Sequence, residues 1–241
     1  LTALALKLFG GNGWAARFAS MLAAMIAVAA LHAFLRRRAD KRLANLVVAV
    51  LVTQPLFFGG AQFANLDMLV AAMITVTVLC GADAVLSLER GQPYRAALAS
   101  AYVFAALGVL AKGLIGFVLP GAILLAWLVV GKRYQVIRSL LPLRLILLFL
   151  VLVMPWFWWM EMSHGGFLDY FFVYHHFQRF AESGFNSAKP FWFYVPVLLL
   201  GTLPWSPWIC RAFSRRFLQD TRQFAMRSLM VIWLVVVLAF F

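Results

Sequence analysis

The chain has 241 residues, of which 65% are apolar and 12% charged, with a mean hydropathy of +0.92. That composition excludes a disordered chain, a coiled coil and an ordinary soluble enzyme, and apolar runs that are continuous rather than alternating exclude an outer-membrane barrel. A net charge of +13 would point to nucleic acid in a soluble protein, but its placement along this chain has a topological explanation and leaves no nucleic-acid partner.

The opening LTALALKLFGGNG reads as the tail of a preceding segment. Apolar runs then follow at about 14–35, 43–62, 67–88, 96–112, 114–131, 143–160, 191–210 and 228–241. A membrane-crossing helix takes roughly 20 apolar residues. The fold class expected is therefore all-α, a polytopic integral membrane helix bundle of about eight helices. It forms a single transmembrane domain over 1–241, which we expect to be cut at both ends. Cys80 and Cys210 both sit inside apolar runs, with neither zinc spacing nor a disulfide framework.

The connections set the orientation. RRRADKR (36–42), ERGQPYR (89–95), GKRYQVIRSLLPLR (131–144) and RAFSRRFLQDTRQFAMR (211–227) are alternate loops, and together they carry sixteen of the 21 Lys and Arg residues. The other side has Lys7, Arg17, Lys112, Arg179 and Lys189. The positive-inside rule puts the arginine-rich loops in the cytoplasm. The expected location is the bacterial inner membrane, with the informative face periplasmic. On that face a loop over 161–190 is rich in aromatics and holds three of the four histidines, and FLDYFFVYHHFQRF within it suits a short interfacial helix. Trp156, Trp158, Trp159, Phe171, Phe172, Tyr174 and Trp192 suit an interfacial aromatic belt.

Several residues are candidates for chemistry. Asp67, in QFANLDMLV, begins the third run at its outer end. It reads either as a carboxylate facing an outer cavity or as a first-turn acid stabilised by the helix dipole, with Asn65 able to cap the same end. Lys112 is the only charge between Ala96 and Gly131. It reads as a phosphate-binding ammonium or as a snorkelling lysine at a hairpin tip. His175 and His176 lie four and three residues before Arg179, so a helix would bring each of them near it. Arg suits bidentate phosphate contact, and a histidine suits a metal or a phosphate oxygen; the plain alternative is a polar helix face meeting water. Lys189 precedes a Pro at a loop-to-helix junction, and Pro196 and Pro204 are expected to kink the seventh run. Asp83 reads as the structural partner of a nearby arginine, and His32 as structural. Gathered on one outer face, Asp67, Lys112, His164, Asp169, His175, His176, Arg179 and Lys189 suit a phosphate-bearing lipid.

QFANLD, LAKGLIGFVLPG, VMPWFW, DYFFVYHHFQRF and KPFWFYVPVLLLGTLPW occur in an order that resembles the ArnT-like glycosyltransferases. These are polyprenyl-phosphate-sugar transferases of the GT-C class, related to protein O-mannosyltransferases. The resemblance implies an inverting transfer of a sugar, of the 4-amino-4-deoxy-L-arabinose type, from an undecaprenyl-phosphate carrier to a periplasmic acceptor such as lipid A. It implies Asp67 as the catalytic carboxylate. Substrate binding would fall to Lys112, His175, His176, Arg179 and Lys189, with Arg179 on the carrier phosphate and His176 also a possible ligand of a divalent metal. The family's principal catalytic aspartate is expected upstream of Leu1, so the chain alone is expected to be inactive. His175 departs from the family pattern, which has an acidic residue there. The alternatives are transfer to a protein or another glycan, a transporter or flippase for a lipid-linked sugar, and a non-catalytic scaffold; charges clustered at the outer boundary favour a transferase over a transporter.

Overall fold

The computed structural model describes residues 2–171, 191–208 and 224–240. The described secondary structure is helical. The opening segment forms α1 (Thr2–Phe9). Gly10, at φ +81°, ends it, and Asn12 then caps α2 (Gly13–Arg38), its side-chain oxygen accepting the Ala15 N–H at 2.8 Å. Three arginines close α2, where a cation meets the negative end of the helix dipole.

The second apolar run is not one helix. It splits into α3 (Lys41–Val52), capped by Asp40, and α4 (Pro55–Gln62), with a bend of 66° between them. Pro55 is the cause. It has no N–H to continue the helix, and its ring pushes the preceding residue out of the α region; Gln54 accordingly sits at φ −74°, ψ 129°. The next runs follow expectation more closely: α5 (Asp67–Glu89), α6 (Arg95–Lys112), α7 (Ile115–Val130), a short α8 (Tyr134–Ile137) and α9 (Leu143–Ser163).

The seventh run also departs from a continuous span. Only α10 (Tyr194–Gly201) is α-helical among its described residues, after a 3-10 turn at Phe191–Phe193. Pro196 lies inside α10, while Pro204 falls in the turn that ends it. The described part closes with α11 (Phe224–Phe240). Among the described residues four helices, α2, α5, α6 and α9, are long and apolar enough to cross a membrane, and the bent α3–α4 pair makes a fifth if it is taken as one span. The apolar helices α7 and α11 are shorter. This is a multi-pass membrane helix bundle.

The bundle is built around α5. Sixteen of its side chains are buried, and they run all round the helix, as expected of an interior helix. It packs against α2, α6 and α7, while α9 lies on α6 and α11 on α7. Val78, Val85, Ile123, Trp127 and Leu229 form the centre of the core.

At the arginine-rich end, Asp83 on α5 is buried and receives Arg38 Nε at 2.5 Å and Arg37 Nη1 at 2.8 Å. Arg38 also donates to the Asp83 carbonyl at 2.7 Å and to Ser87 Oγ at 2.5 Å. The expected pairing of Asp83 with a nearby arginine is thus present twice over, and it ties the end of α2 to α5. His32 meets Asn45 Oδ1 at 3.0 Å, bridging α2 and α3. Trp127 donates to the Ala225 carbonyl at 3.0 Å and to Ser228 Oγ at 3.1 Å, with the Arg133 guanidinium 4.3 Å from its ring.

Candidate functional site

The opposite end of the bundle is organised by a tight hairpin. α6 and α7 approach each other through Gly108 and Gly116, where a Cβ on Gly116 would lie 2.1 Å from the Gly108 carbonyl carbon. Only two glycines allow backbones this close. Gly113, at φ +83°, makes the turn between the helices. The motif LAKGLIGFVLPG therefore encodes a hairpin tip, and Lys112 is the last residue before the turn.

That tip lands beside the start of α5. Lys112 Nζ donates to Asp67 Oδ1 across 45 residues of sequence. Asp67 is fixed from its other side: Asn65 Nδ2 donates to Asp67 Oδ2 at 3.0 Å, and Asn65 Oδ1 accepts the Asp67 N–H at 3.2 Å. Ser20 on α2, almost fully buried, donates to the Asn65 carbonyl at 3.1 Å. Three helices thus converge on one carboxylate. Asp67 is a first-turn acid of α5 with an exposed carboxylate.

The Asp67 and Lys112 side chains are 63% and 47% exposed. Exposed pairs of this kind contribute only about 0–1 kcal/mol to stability. The pair is therefore poor as a structural clamp and well suited to exchange. An ammonium carries three donors, and the one directed at Asp67 leaves two for another anion.

Beside the tip lies an apolar cavity of about 450 Å³ between the α6–α7 hairpin and α9, its wall including Leu114, Phe117, Phe149, Val153 and Phe157. Beyond it, α9 ends in aromatic packing. The Phe157 and Phe167 rings lie 6.4 Å apart, and Phe167 stacks on Phe171 at 5.5 Å. Glu161, which sequence reasoning passed over, accepts the N–H groups of Gly166 at 3.1 Å and Leu168 at 2.7 Å. Its carboxylate fixes the start of helical backbone at 167–171, where FLDYFFVYHHFQRF begins. His164 and Asp169 are exposed at the same end. Among the belt residues, Trp156, Trp158, Trp159 and Trp192 are all exposed.

His175, His176, Arg179 and Lys189 lie outside the described residues. Among the described residues, no group of three or more His, Cys, Asp or Glu side chains is arranged to hold a metal ion.

The bend between α3 and α4 carries a second polar contact that the sequence did not reveal. Trp205 Nε1 donates to Thr53 Oγ1 at 2.8 Å, and Thr53 Oγ1 in turn donates to the Ala49 carbonyl at 2.7 Å. A cavity of about 530 Å³ opens there, lined by Leu46, Val50, Gln54, Thr202, Trp205 and Trp208.

With this geometry in view, comparison with known proteins gives a consistent result. Residues 1–159 match the family model described as dolichyl-phosphate-mannose-protein mannosyltransferase. The chain is 29% identical over 245 residues to the undecaprenyl phosphate-alpha-4-amino-4-deoxy-L-arabinose arabinosyl transferase of Enterobacter sp. (strain 638), covering 99% of this chain and 43% of that protein. It is 31% identical over 207 residues to the protein of the same name from Edwardsiella ictaluri (strain 93-146), covering 82% of this chain and 36% of that one. Crystal structures of ArnT from Cupriavidus metallidurans, in the apo state and bound to undecaprenyl phosphate, superpose with TM-scores of 0.84 and 0.86 at 23% and 24% identity. Each match covers all of this chain and 43% of the ArnT chain. The structural likeness is one of fold, and the chain spans less than half the length of these relatives.

Proposed function

We propose, from the premise that this chain belongs to the dolichyl-phosphate-mannose-protein mannosyltransferase family, that it forms the central membrane part of a glycosyltransferase. The donor is a sugar on undecaprenyl phosphate. The acceptor is lipid A or a comparable periplasmic molecule, and 4-amino-4-deoxy-L-arabinose is the sugar carried in the relatives' names. The protein sits in the bacterial inner membrane as one transmembrane domain over 1–241, with its arginine-rich loops cytoplasmic. The loop over 161–190 and its interfacial helix are periplasmic.

The observation that supports this reading is the exposed Lys112–Asp67 pair, at the end of the bundle opposite the arginines and next to an apolar cavity. A lipid phosphate needs such a combination: cationic donors at the headgroup boundary, and apolar volume beside them for the chain. In the reaction, the acceptor oxygen attacks the anomeric carbon from the face opposite the carrier. The bond from that carbon to the phosphate oxygen breaks, and its electron pair leaves on the polyprenyl phosphate. Lys112 and Arg179 stabilise the charge growing there. Asp67 orients the acceptor and takes its proton where the acceptor is a hydroxyl; an already ionised phosphate acceptor needs positioning alone. His175, His176 and Lys189 complete the substrate contacts, and His176 would be the ligand of a divalent metal if one is bound.

The test is transfer of radiolabelled sugar from undecaprenyl phosphate to lipid A by the full-length protein. Lys112→Ala is expected to lower turnover by about 10²-fold, the loss typical for removal of one transition-state donor, while Lys112→Arg keeps more of it. Wild-type turnover in Lys112→Ala would overturn the assignment.

A further inference from the structure

A cavity of about 230 Å³ lies between α5, α6 and α7 and the stretch that follows α7, and it runs along α7 from Phe117 to Leu128 at the arginine-rich end. Leu98 and Ala101 of α6, Leu124 and Leu128 of α7, and Leu140 and Leu141 are among its lining residues. Two lining side chains carry polar groups, and both are satisfied within the protein: Thr77 donates to the Met73 carbonyl at 2.8 Å and Tyr102 to the Leu140 carbonyl at 2.9 Å. The cavity therefore offers water little. Apolar cavities of about 150 Å³ already stay dry and take up apolar molecules. Leu125 and Leu141, both lining residues, are 53% and 58% exposed, so the space is reached from the lipid-facing surface.

Three arginines flank the lining residues along the chain. Arg138 lies within the lining stretch 137–141, Arg95 one helical turn before Leu98, and Arg144 three residues after Leu141; all three are exposed. Between residues 84 and 160 the only acid is Glu89, and it faces Arg133 at 3.4 Å. Nothing acidic from that stretch offsets the three rim arginines.

We propose that this end of the bundle holds a phospholipid with an anionic headgroup, one acyl chain filling the cavity and the phosphate resting on Arg95, Arg138 and Arg144. Apolar walls select the chain, and the arginines select the headgroup. Basic pockets between transmembrane helices recognise anionic lipids in this way. The three arginines are at the opposite end from Lys112, and the proposal does not depend on the transfer reading.

The experiment is native mass spectrometry of the full-length protein in mild detergent, titrated with palmitoyl-oleoyl phosphatidylglycerol or the matching phosphatidylcholine. The wild type is expected to retain phosphatidylglycerol at least about tenfold better, given three arginines near one headgroup. The triple variant Arg95→Gln, Arg138→Gln, Arg144→Gln should lose that preference. A control variant, Arg36→Gln, Lys41→Gln, Arg42→Gln, removes three exposed charges elsewhere at this end and should keep it. Leu125→Trp, which narrows the cavity, should weaken phosphatidylglycerol binding about tenfold with an unchanged melting temperature. Equal retention of the two lipids by the wild type would overturn the proposal. So would a preference that survives the rim variant, an equal loss in the control variant, or Leu125→Trp binding like the wild type because polypeptide already fills the cavity. Glycerol 3-phosphate competing as well as the lipid would overturn the acyl-chain assignment.

Discussion

Asp67 is held from two sides. Its backbone and one carboxylate oxygen are held by Asn65, and its other oxygen meets Lys112. Removing Asn65 should therefore alter the orientation of Asp67 more than the stability of the bundle. Asn65→Ala is expected to cost about 0.5–1.5 kcal/mol, the range for a lost hydrogen bond, and to lower transfer several-fold in the full-length protein. Melting temperature and turnover measured on the same preparation separate the two effects. Asp67 and Lys112 each stand out in the sequence as isolated charges beside long apolar runs. Their contact does not, because nothing local links residues 45 positions apart. Glu161 was illegible for a different reason: its partners are backbone N–H groups, which leave no side-chain signature.

At the scale of elements, the site depends on how closely α6 and α7 pack. Gly116→Ala would place a Cβ against the Gly108 backbone. Overpacking of this kind typically costs about 1–3 kcal/mol. The hairpin should open, moving Lys112 away from Asp67. The melting temperature of Gly116→Ala should fall by the matching amount, and transfer by the full-length variant should fall with it. At the other end, Asp83 anchors α2 to α5 through Arg38, whose side chain is 3% exposed. Asp83→Ala leaves a buried guanidinium without its counter-charge, a change worth about 3–5 kcal/mol. The yield of folded protein and its melting temperature should fall sharply, and less in Asp83→Asn. The paired arginines were legible because Asp83 is an acid deep in an apolar run near a cationic loop. The bend at Thr53–Gln54 was missed because an apolar run was counted by composition, although Pro55 carried the signal. The Gly108–Gly116 approach was missed because glycines in a membrane helix are common and only geometry reveals which pair packs.

For the whole molecule, charge asymmetry ties the sequence to the fold. The α5–α6–α7 arrangement puts Asp67 and Lys112 at one end and Asp83, Glu89 and Arg133 at the other. The pattern of sixteen basic residues in alternate loops anticipated this division. The membrane bundle was readable because burial in lipid demands long apolar helices. The number of full-length spans was less so, because α3–α4 and the α10 region break where proline interrupts them. The account as a whole stands on the two ends facing opposite sides of the membrane, with the Lys112 end outward. In full-length protein with its native cysteines, Cys80 and Cys210 among them, replaced by alanine, single cysteines at Asp169 and at Arg138 can be labelled in intact cells with a membrane-impermeant maleimide. The account predicts labelling of the cysteine at 169 from outside, and of the one at 138 only after permeabilisation. Labelling at 138 in intact cells, with 169 protected until they are opened, would contradict it.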